Sequence, residues 1–350
     1  MTLHNSKNKK LVLFLGYGYT ARFISEEIIA QKWSYIIRPT RKSNHMKKQL
    51  FQDVFARLGL APKPHYSRLS QQDMMGSLMS ISDKPIAPPL LLNKPKHIKN
   101  YEDVIQDMIP KVTHILITAP PGDQSDPAFM LYSDLFLEKK CPLLEWVGYL
   151  SSTSVYGNLD GAECDETTPV NPNSKRGANR AYAENIWMSL YHKMDIPVQI
   201  FRLGGIYGPE RNNINDIVNA KAISIIKEGQ LNNRIYVKDI AKSIMASMQT
   251  PTPGEIYNLV DDMPASRAAV NDYLAFMLDK PAPKKILYDD YKKHLSDMQK
   301  SFYEATRIVK NDKIKKMLGV TFQYPSYREG YADIITQNIT ANDNSEPSVN

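Results

Sequence analysis

Five consecutive apolar residues at 11–15 (LVLFL), bounded by polar Lys10 and by Gly16, are too few for a helix and predict a strand buried on both faces, as in parallel sheets. Residues 20–31 carry Phe23, Ile24, Ile28 and Ile29 at helical spacing, and residues 33–37 (WSYII) predict a second strand. The pattern then weakens. Prolines at 62, 64, 85, 88, 89 and 95 break any long element, so residues 50–99 read as an insertion with a short packing helix at 74–79 and a third strand at 90–93. A helix at 101–108, a fourth strand at 113–119, a helix at 130–138 and a fifth strand at 143–150 follow.

The second half predicts a sixth strand at 197–202, a helix ending at 221–227, and a short strand at 234–239 leading into a helix at 240–248. A strand at 255–260, a helix at 267–278, a break at Pro281 and Pro283, and helices at 311–318 and 327–337 complete the pattern. Strands alternating with helices place the chain in the α/β class, as a Rossmann-type doubly wound parallel sheet with a smaller C-terminal α/β lobe.

Between the first strand and the first helix stands Gly16-Tyr17-Gly18-Tyr19-Thr20-Ala21, a G-x-G-x-x-A turn. Glycines at the first two positions let the backbone turn sharply and let a diphosphate approach its N–H groups, and the small third residue serves close packing of helix on strand. The turn reads as a dinucleotide site; a tight turn inside an ordinary α/β core is the other reading. The second strand ends in Arg38-Pro39-Thr40-Arg41-Lys42, with two arginines and no acid. An acid there would bond the ribose hydroxyls of NAD(H), whereas arginine suits the 2′-phosphate, so NADP(H) is expected over NAD(H). Ala119 and Pro120, at the tip of the fourth strand, would let the backbone pass beside adenine and ribose.

These readings divide the chain into a flexible leader at 1–10, a dinucleotide-binding Rossmann domain at 11–203, a substrate lobe at 204–337 interleaved with it, and a disordered tail at 338–350. The net charge of +7 is scattered apart from runs at 38–48 and 310–316, which argues for a solvated surface rather than a nucleic-acid face. No apolar run approaches the roughly 18 residues that span a bilayer, and nothing near Met1 resembles a secretory signal, so no membrane partner is expected. The two cysteines, Cys141 and Cys164, have no metal-ligand spacing; a reducing cytoplasm and no metal are expected.

After the fifth strand come Ser151-Ser152-Thr153-Ser154-Val155-Tyr156-Gly157. Hydroxyls at the carboxyl tip of such a strand are candidates for bonding a substrate carbonyl or hydroxyl, and equally for a turn bonding its own backbone. Arg202 and Asn212 read as anion or cofactor contacts or as loop salt bridges, and His114, with its apolar neighbours, as a packing residue.

With GYGYTA, SSTSVYG, Asp165-Glu166 with Pro169, FRLGGIYGP at 201–209, RIYVKDI at 234–240 and YNLVD at 257–261 in this order, the chain resembles the short-chain dehydrogenase/reductase superfamily. The resemblance is to its extended type, which includes nucleotide-sugar epimerases and dehydratases, and it implies a homodimer formed through the long helices flanking the fifth strand. It also places Asp239 as an N-cap. In that superfamily a tyrosine, helped by a lysine four residues later, trades a proton with the substrate oxygen. Aligning Ala183-Glu184 with the family's Ala-Glu puts Arg176 at the tyrosine position and Arg180 at the lysine position. Arginine stays protonated, so Arg176 cannot act as a general acid near neutral pH. The literal Y-x-x-x-K at Tyr288–Lys292 lies far from the expected tip, and Tyr182 projects from another side of the helix.

The resemblance therefore implies an atypical branch. Ser152, Thr153, Tyr156 and Arg176 are its candidate catalytic residues, and Gly16, Gly18, Tyr19, Thr20, Arg38, Arg41, Ala119, Pro120 and Arg180 its candidate cofactor residues. Two functions are expected from it: an NADP(H)-dependent oxidoreductase or epimerase-like enzyme on a small carbonyl, hydroxyl or nucleotide-sugar-like substrate, or a non-catalytic NADP(H)-binding regulator or assembly scaffold.

Overall fold

The computed structural model describes residues 10–38, 40, 101–123 and 125–343. The expected helix at 74–79, the strand at 90–93 and Arg41 lie outside the described residues. Six parallel strands form the central sheet: β1 (Leu11–Leu15), β2 (Ser34–Arg38), β3 (His114–Ile117), β4 (Trp146–Ser152), β5 (Val198–Leu203) and β6 (Ile256–Leu259), in the order β6-β5-β4-β3-β1-β2. β1 is buried along its whole length. Leu11, Leu13 and Leu15 face a core with Ile115, Ile117 and Trp187, while Val12 and Phe14 face one with Leu116 and Phe201. This is the α/β doubly wound architecture that the alternating pattern implies.

β1 is flanked by β2 and β3 with Leu15 opposite both Arg38 and Ile117, so three strand tips end level. The strand order reverses between β1 and β3, and ligands of open α/β sheets bind outside the carboxyl ends at such a point. Helix α1 (Tyr19–Ala30) covers one face, packing Ala21, Ile24 and Ile28 against Ile240, Ile244 and Met248 of the helix Val237–Gln249. Each isoleucine so buried stabilises the fold by roughly 2 kcal/mol. On the other face lies α2 (Lys175–Met194), whose Trp187 meets Phe129, Phe136 and Tyr149.

Several expectations are corrected. The helix expected at 130–138 is two short ones, Pro127–Tyr132 and Asp134–Leu137; Asp126 caps the first by accepting from the Phe129 N–H at 2.9 Å, with Pro127 at its first position. Residues 221–227 contain a strand, Ile223–Ile226, because the β-branched Ile-Ser-Ile-Ile run pairs in parallel with Lys284–Leu287. Asp239 does not cap its own helix, which starts two residues earlier; its carboxylate accepts from the N–H groups of Gln323 and Tyr324, tying the C-terminal segment down. The last helix runs from Tyr327 to Asp343, beyond the expected start of the tail at 338. Lys10 is tied in rather than frayed: its carbonyl accepts from Ser34 and its ammonium pairs with Glu145.

The C-terminal half supplies two small two-stranded sheets, Gly205–Tyr207 with Arg234–Tyr236 and Ile223–Ile226 with Lys284–Leu287, and its Ile308–Val309 pairs with Glu163–Cys164. It also returns β6 and the helix Val237–Gln249 to the central sheet. Among the described residues no helix is long and apolar enough to cross a membrane.

Candidate functional site

The glycine turn is set by close approach. Gly16 has φ +89°, and a Cβ there would stand 3.0 Å from the Ala119 nitrogen, so glycine alone fits without strain. Its N–H donates to the Arg38 carbonyl at 2.9 Å, and the Thr118 hydroxyl donates to its carbonyl at 3.0 Å. Gly18 differs. It is exposed, a Cβ would meet nothing within 4 Å, and it begins α1 with neither a side-chain cap nor an acid in the first turn. A diphosphate can approach that helix start from outside and meet only N–H dipoles, which fits the expected dinucleotide.

The side chains of the turn are structural. Tyr17 bonds Ser25 at 2.7 Å and stacks on Tyr35. The Tyr19 hydroxyl donates to the Pro209 carbonyl at 2.8 Å, and its ring lies between Arg22 and Arg211, 5.7 and 5.6 Å from its centroid. Buried Thr20 lies beneath the turn. At the tip of β2 the Arg38 guanidinium lies 5.5 Å from the Tyr132 ring centroid. Ala119 is buried against Gly16, and Pro120 is exposed beside it.

At the tip of β4, Ser152 accepts from the Ser154 N–H at 3.2 Å, so this hydroxyl caps its own turn while Ser152 also lines a cavity. The turn reading of the cluster therefore holds for Ser152, which also faces the cavity. Thr153 is buried and lines the same cavity, as does Ser154, whose buried hydroxyl has no partner among the described residues.

The structure does not bring Tyr156 to the cavity. Its side chain is fully buried, its hydroxyl donates to Asn258 Oδ1 at 2.8 Å and accepts from Arg202 Nη1 at 2.9 Å, and burial pushes its phenol up to about 12. Arg202 is likewise no ligand contact. It forks onto Glu184 at 2.7–3.2 Å, Glu184 also accepts from Ser151 at 2.5 Å, and both side chains are about 5 % exposed or less. This closed polar network ties α2 to β4 and β5 behind the site.

Helix α2 presses its first turn onto the hydroxyl cluster: a Cβ on Gly177 would stand 2.5 Å from the Ser154 carbonyl oxygen, and Ser174 caps the helix by accepting from the Gly177 N–H at 3.1 Å. That contact sets Arg176 on the cavity wall beside Ser152 and Thr153. Burial, then the Arg180 and Arg211 charges, holds the Arg176 guanidinium below its ordinary range. One turn on, Arg180 donates to the Leu150 carbonyl at 2.5 Å and to the Tyr149 hydroxyl at 3.4 Å. Tyr288 of the literal Y-x-x-x-K stacks on Tyr303.

The cavity has a volume of about 660 Å³ and lies between the β4 tip and the C-terminal lobe. Arg176, Arg211, Arg234, Arg267 and Arg307 line it with Lys221, against a single acid, Asp216. Arg211 joins the cavity to the glycine turn through Tyr19. Of these cations, sequence reasoning identified Arg176 alone as a site residue. The RIY segment that carries Arg234 was visible in the sequence, but nothing local marked Arg267 or Arg307. Asn212 lines the cavity and holds its own loop, donating to the Gly208 carbonyl and accepting from the Ile214 N–H. Among the described residues no cluster of His, Cys, Asp and Glu could hold a metal, and both cysteines are free and buried.

The NAD dependent epimerase/dehydratase family model matches residues 142–259. Human dTDP-D-glucose 4,6-dehydratase is 29% identical over 121 residues, 32% of this chain and 34% of its own, so the match spans about a third of that relative's length. Protein YeeZ of Escherichia coli strain K12 is 26% identical over 243 residues, 67% of this chain and 80% of its own. Among solved structures, a functionally unknown conserved protein from Silicibacter pomeroyi DSS is 32% identical with a TM-score of 0.70, covering 94% of this chain and 99% of that one. The dTDP-glucose 4,6-dehydratase from Bacillus anthracis, in complex with NAD, shares the fold at 17% identity and a TM-score of 0.64, covering 96% and 98%.

Proposed function

Because the chain belongs to the epimerase/dehydratase-like branch of the short-chain dehydrogenase/reductase superfamily, we propose that it binds NADP(H) and acts as an oxidoreductase or epimerase-like enzyme on a nucleotide-sugar-like or other small carbonyl or hydroxyl substrate. One observation carries the reading: the Ser152-Thr153 tip lines a cavity at the carboxyl edge of the sheet, and Arg211 of that cavity lies over the ring of Tyr19, which belongs to the open glycine turn. The dinucleotide would lie over Gly16, Gly18 and the start of α1, with Arg38 toward its 2′-phosphate, a role the sequence also suggests for Arg41, and Arg180 behind the tip of β4. Once bound, it supplies hydride transfer. The chain's own part is to orient the substrate through Ser152 and Thr153 and to stabilise negative charge on its oxygen through Arg176.

A second reading, an NADP(H)-binding regulator without turnover, is favoured by the fate of the phenols. The sequence resemblance puts Arg176 at the superfamily's tyrosine position, and the Tyr156 hydroxyl is consumed by Arg202 and Asn258.

Titration with NADPH, NADP, NADH and NAD by fluorescence or calorimetry tests both readings; no binding of any sinks both. With the dinucleotide bound, turnover on a panel of carbonyls and nucleotide sugars that is lost in Ser152→Ala or Arg176→Ala supports the enzyme, and tight binding without turnover supports the regulator. Arg41→Ala should weaken NADPH much more than NADH, and equal losses would remove the specificity claim.

A further inference from the structure

A guanidinium set in a partly desolvated wall is costly unless an anion meets it, because arginine cannot shed its proton. The protein answers this for Arg202 with Glu184. It does not do so in the cavity. Among the described residues none of Arg176, Arg211, Arg234, Arg267 and Arg307 forms an ion pair. Two of them are spent on the fold, since Arg234 donates to the Asn232 and Ala265 carbonyls and Arg307 to that of Gly157. Among the described residues the guanidinium groups of Arg176 and Arg211 donate no hydrogen bond, and they lie over the rings of Phe302 and Tyr19. Arg176 also feels repulsion from both Arg180 and Arg211. Arg176 on the cavity wall therefore has two like charges near it, Arg180 at the Leu150 carbonyl and Arg211 over the Tyr19 ring.

A negative charge that arises only during a reaction would leave this repulsion unrelieved in the resting complex. A permanent anion on the bound molecule relieves it throughout, and a predominantly positive, partly desolvated cleft concentrates such ligands. We infer that the substrate carries a carboxylate at its reacting end, seated on Arg176 beside Ser152 and Thr153, so that this site selects acids over their neutral counterparts. The inference rests on the proposed function, because it is the bound dinucleotide that makes this the reacting end. A carboxylate matches the planar fork of one guanidinium through two parallel N–H···O bonds, and its single charge suits a wall position held by one side chain. The other cations of the lobe would then serve the remainder of the ligand.

The test uses matched pairs that differ in the carboxylate, UDP-glucuronate against UDP-glucose and glucuronate against glucose, titrated calorimetrically into full-length protein saturated with NADPH. At least a tenfold preference for an acidic member is expected, falling to within about twofold in Arg176→Gln and surviving in part in Arg176→Lys, which keeps the charge without the fork. Equal affinity within each pair, failure of both acids to bind, or a preference that persists undiminished in Arg176→Gln overturns the inference. Dinucleotide binding is read in the same samples: its absence from the unmodified protein refutes the proposed function, whereas intact dinucleotide binding without acid selection refutes only this inference.

Discussion

Two arginines of the protein behave in opposite ways. Arg202 lies behind the tip of β4, forked onto Glu184 with a further bond to the Tyr156 hydroxyl, and its surroundings raise its pKa. Arg176 lies in front of the same tip, meets a phenyl ring and two like charges, and its pKa is lowered. A cation for which the fold supplies the counter-ion belongs to the fold, and one left without a counter-ion is available to a ligand. The first half of that comparison gives the largest expected effect. Glu184→Ala leaves a buried guanidinium uncompensated and should cost about 3–5 kcal/mol in urea denaturation. A loss below about 1 kcal/mol would show that Arg202 is neutralised by something else, and the contrast with Arg176 would fall.

Next in size is the turn. Gly16→Ala forces a side chain to φ +89° and to within 3.0 Å of the Ala119 nitrogen, at a cost of roughly 1–3 kcal/mol together with weaker dinucleotide binding. Unchanged stability and unchanged NADPH affinity would show that the turn relaxes and that its tight packing onto β3 is not needed.

The same contrast explains what the sequence revealed. The glycine turn was legible because its logic is local: strand, turn and helix start all lie within residues 11–31, and each residue's job follows from its neighbours. The cavity was not legible, because its cations come from positions 176 to 307 and only the folded topology brings them together. Tyr156 read as an available phenol because the partners that consume its hydroxyl, Arg202 and Asn258, are 46 and 102 residues away. The pairing of Ile223–Ile226 with Lys284–Leu287 was hidden in the same way, and a run with helical flanks was read as helix. Asp239, a plausible cap by its position, instead serves a segment more than 80 residues later.

An acid can also be left without a counter-ion, and Asp261 provides a pH-dependent check. It is 2 % exposed; one carboxylate oxygen accepts from the Met263 N–H at 3.2 Å, the other has no partner among the described residues, and burial pushes the carboxyl up to about 8. A raised folded-state value means that the proton is held in the native protein and lost in the unfolded chain, whose ordinary value is 3.8. The resulting stability is complete below that value and disappears as pH rises toward 8, at up to about 1.4 kcal/mol per pH unit. His114 acts oppositely: burial lowers it from 6.5 to about 4, so its contribution is present above 6.5 and lost on acidification. Above pH 6.5 the His114 contribution is largely in place, so urea denaturation between pH 6.5 and 8 follows the buried carboxyls with raised values, Asp261 among them. The downward slope there should flatten in Asp261→Asn, and an unchanged slope would assign it to another group.

The smallest effect belongs to the pair that fastens the glycine turn to the lobe. Arg22 and Glu210 meet at 2.8 Å, nearly the 2.7 Å of Arg202 and Glu184, but their side chains are 45 % and 69 % exposed. Water screens the attraction and competes for both partners, so distance alone does not determine the energy. Arg22→Ala should change stability by less than about 1 kcal/mol, and the difference should shrink further in high salt. The Tyr19 bond to Pro209, which is partly buried, holds the same junction without that pair. Denaturation in low and high salt tests the point. A salt-independent loss comparable with that of Glu184→Ala would mean that the junction depends on the exposed pair, and that burial does not separate structural charges from available ones in this protein.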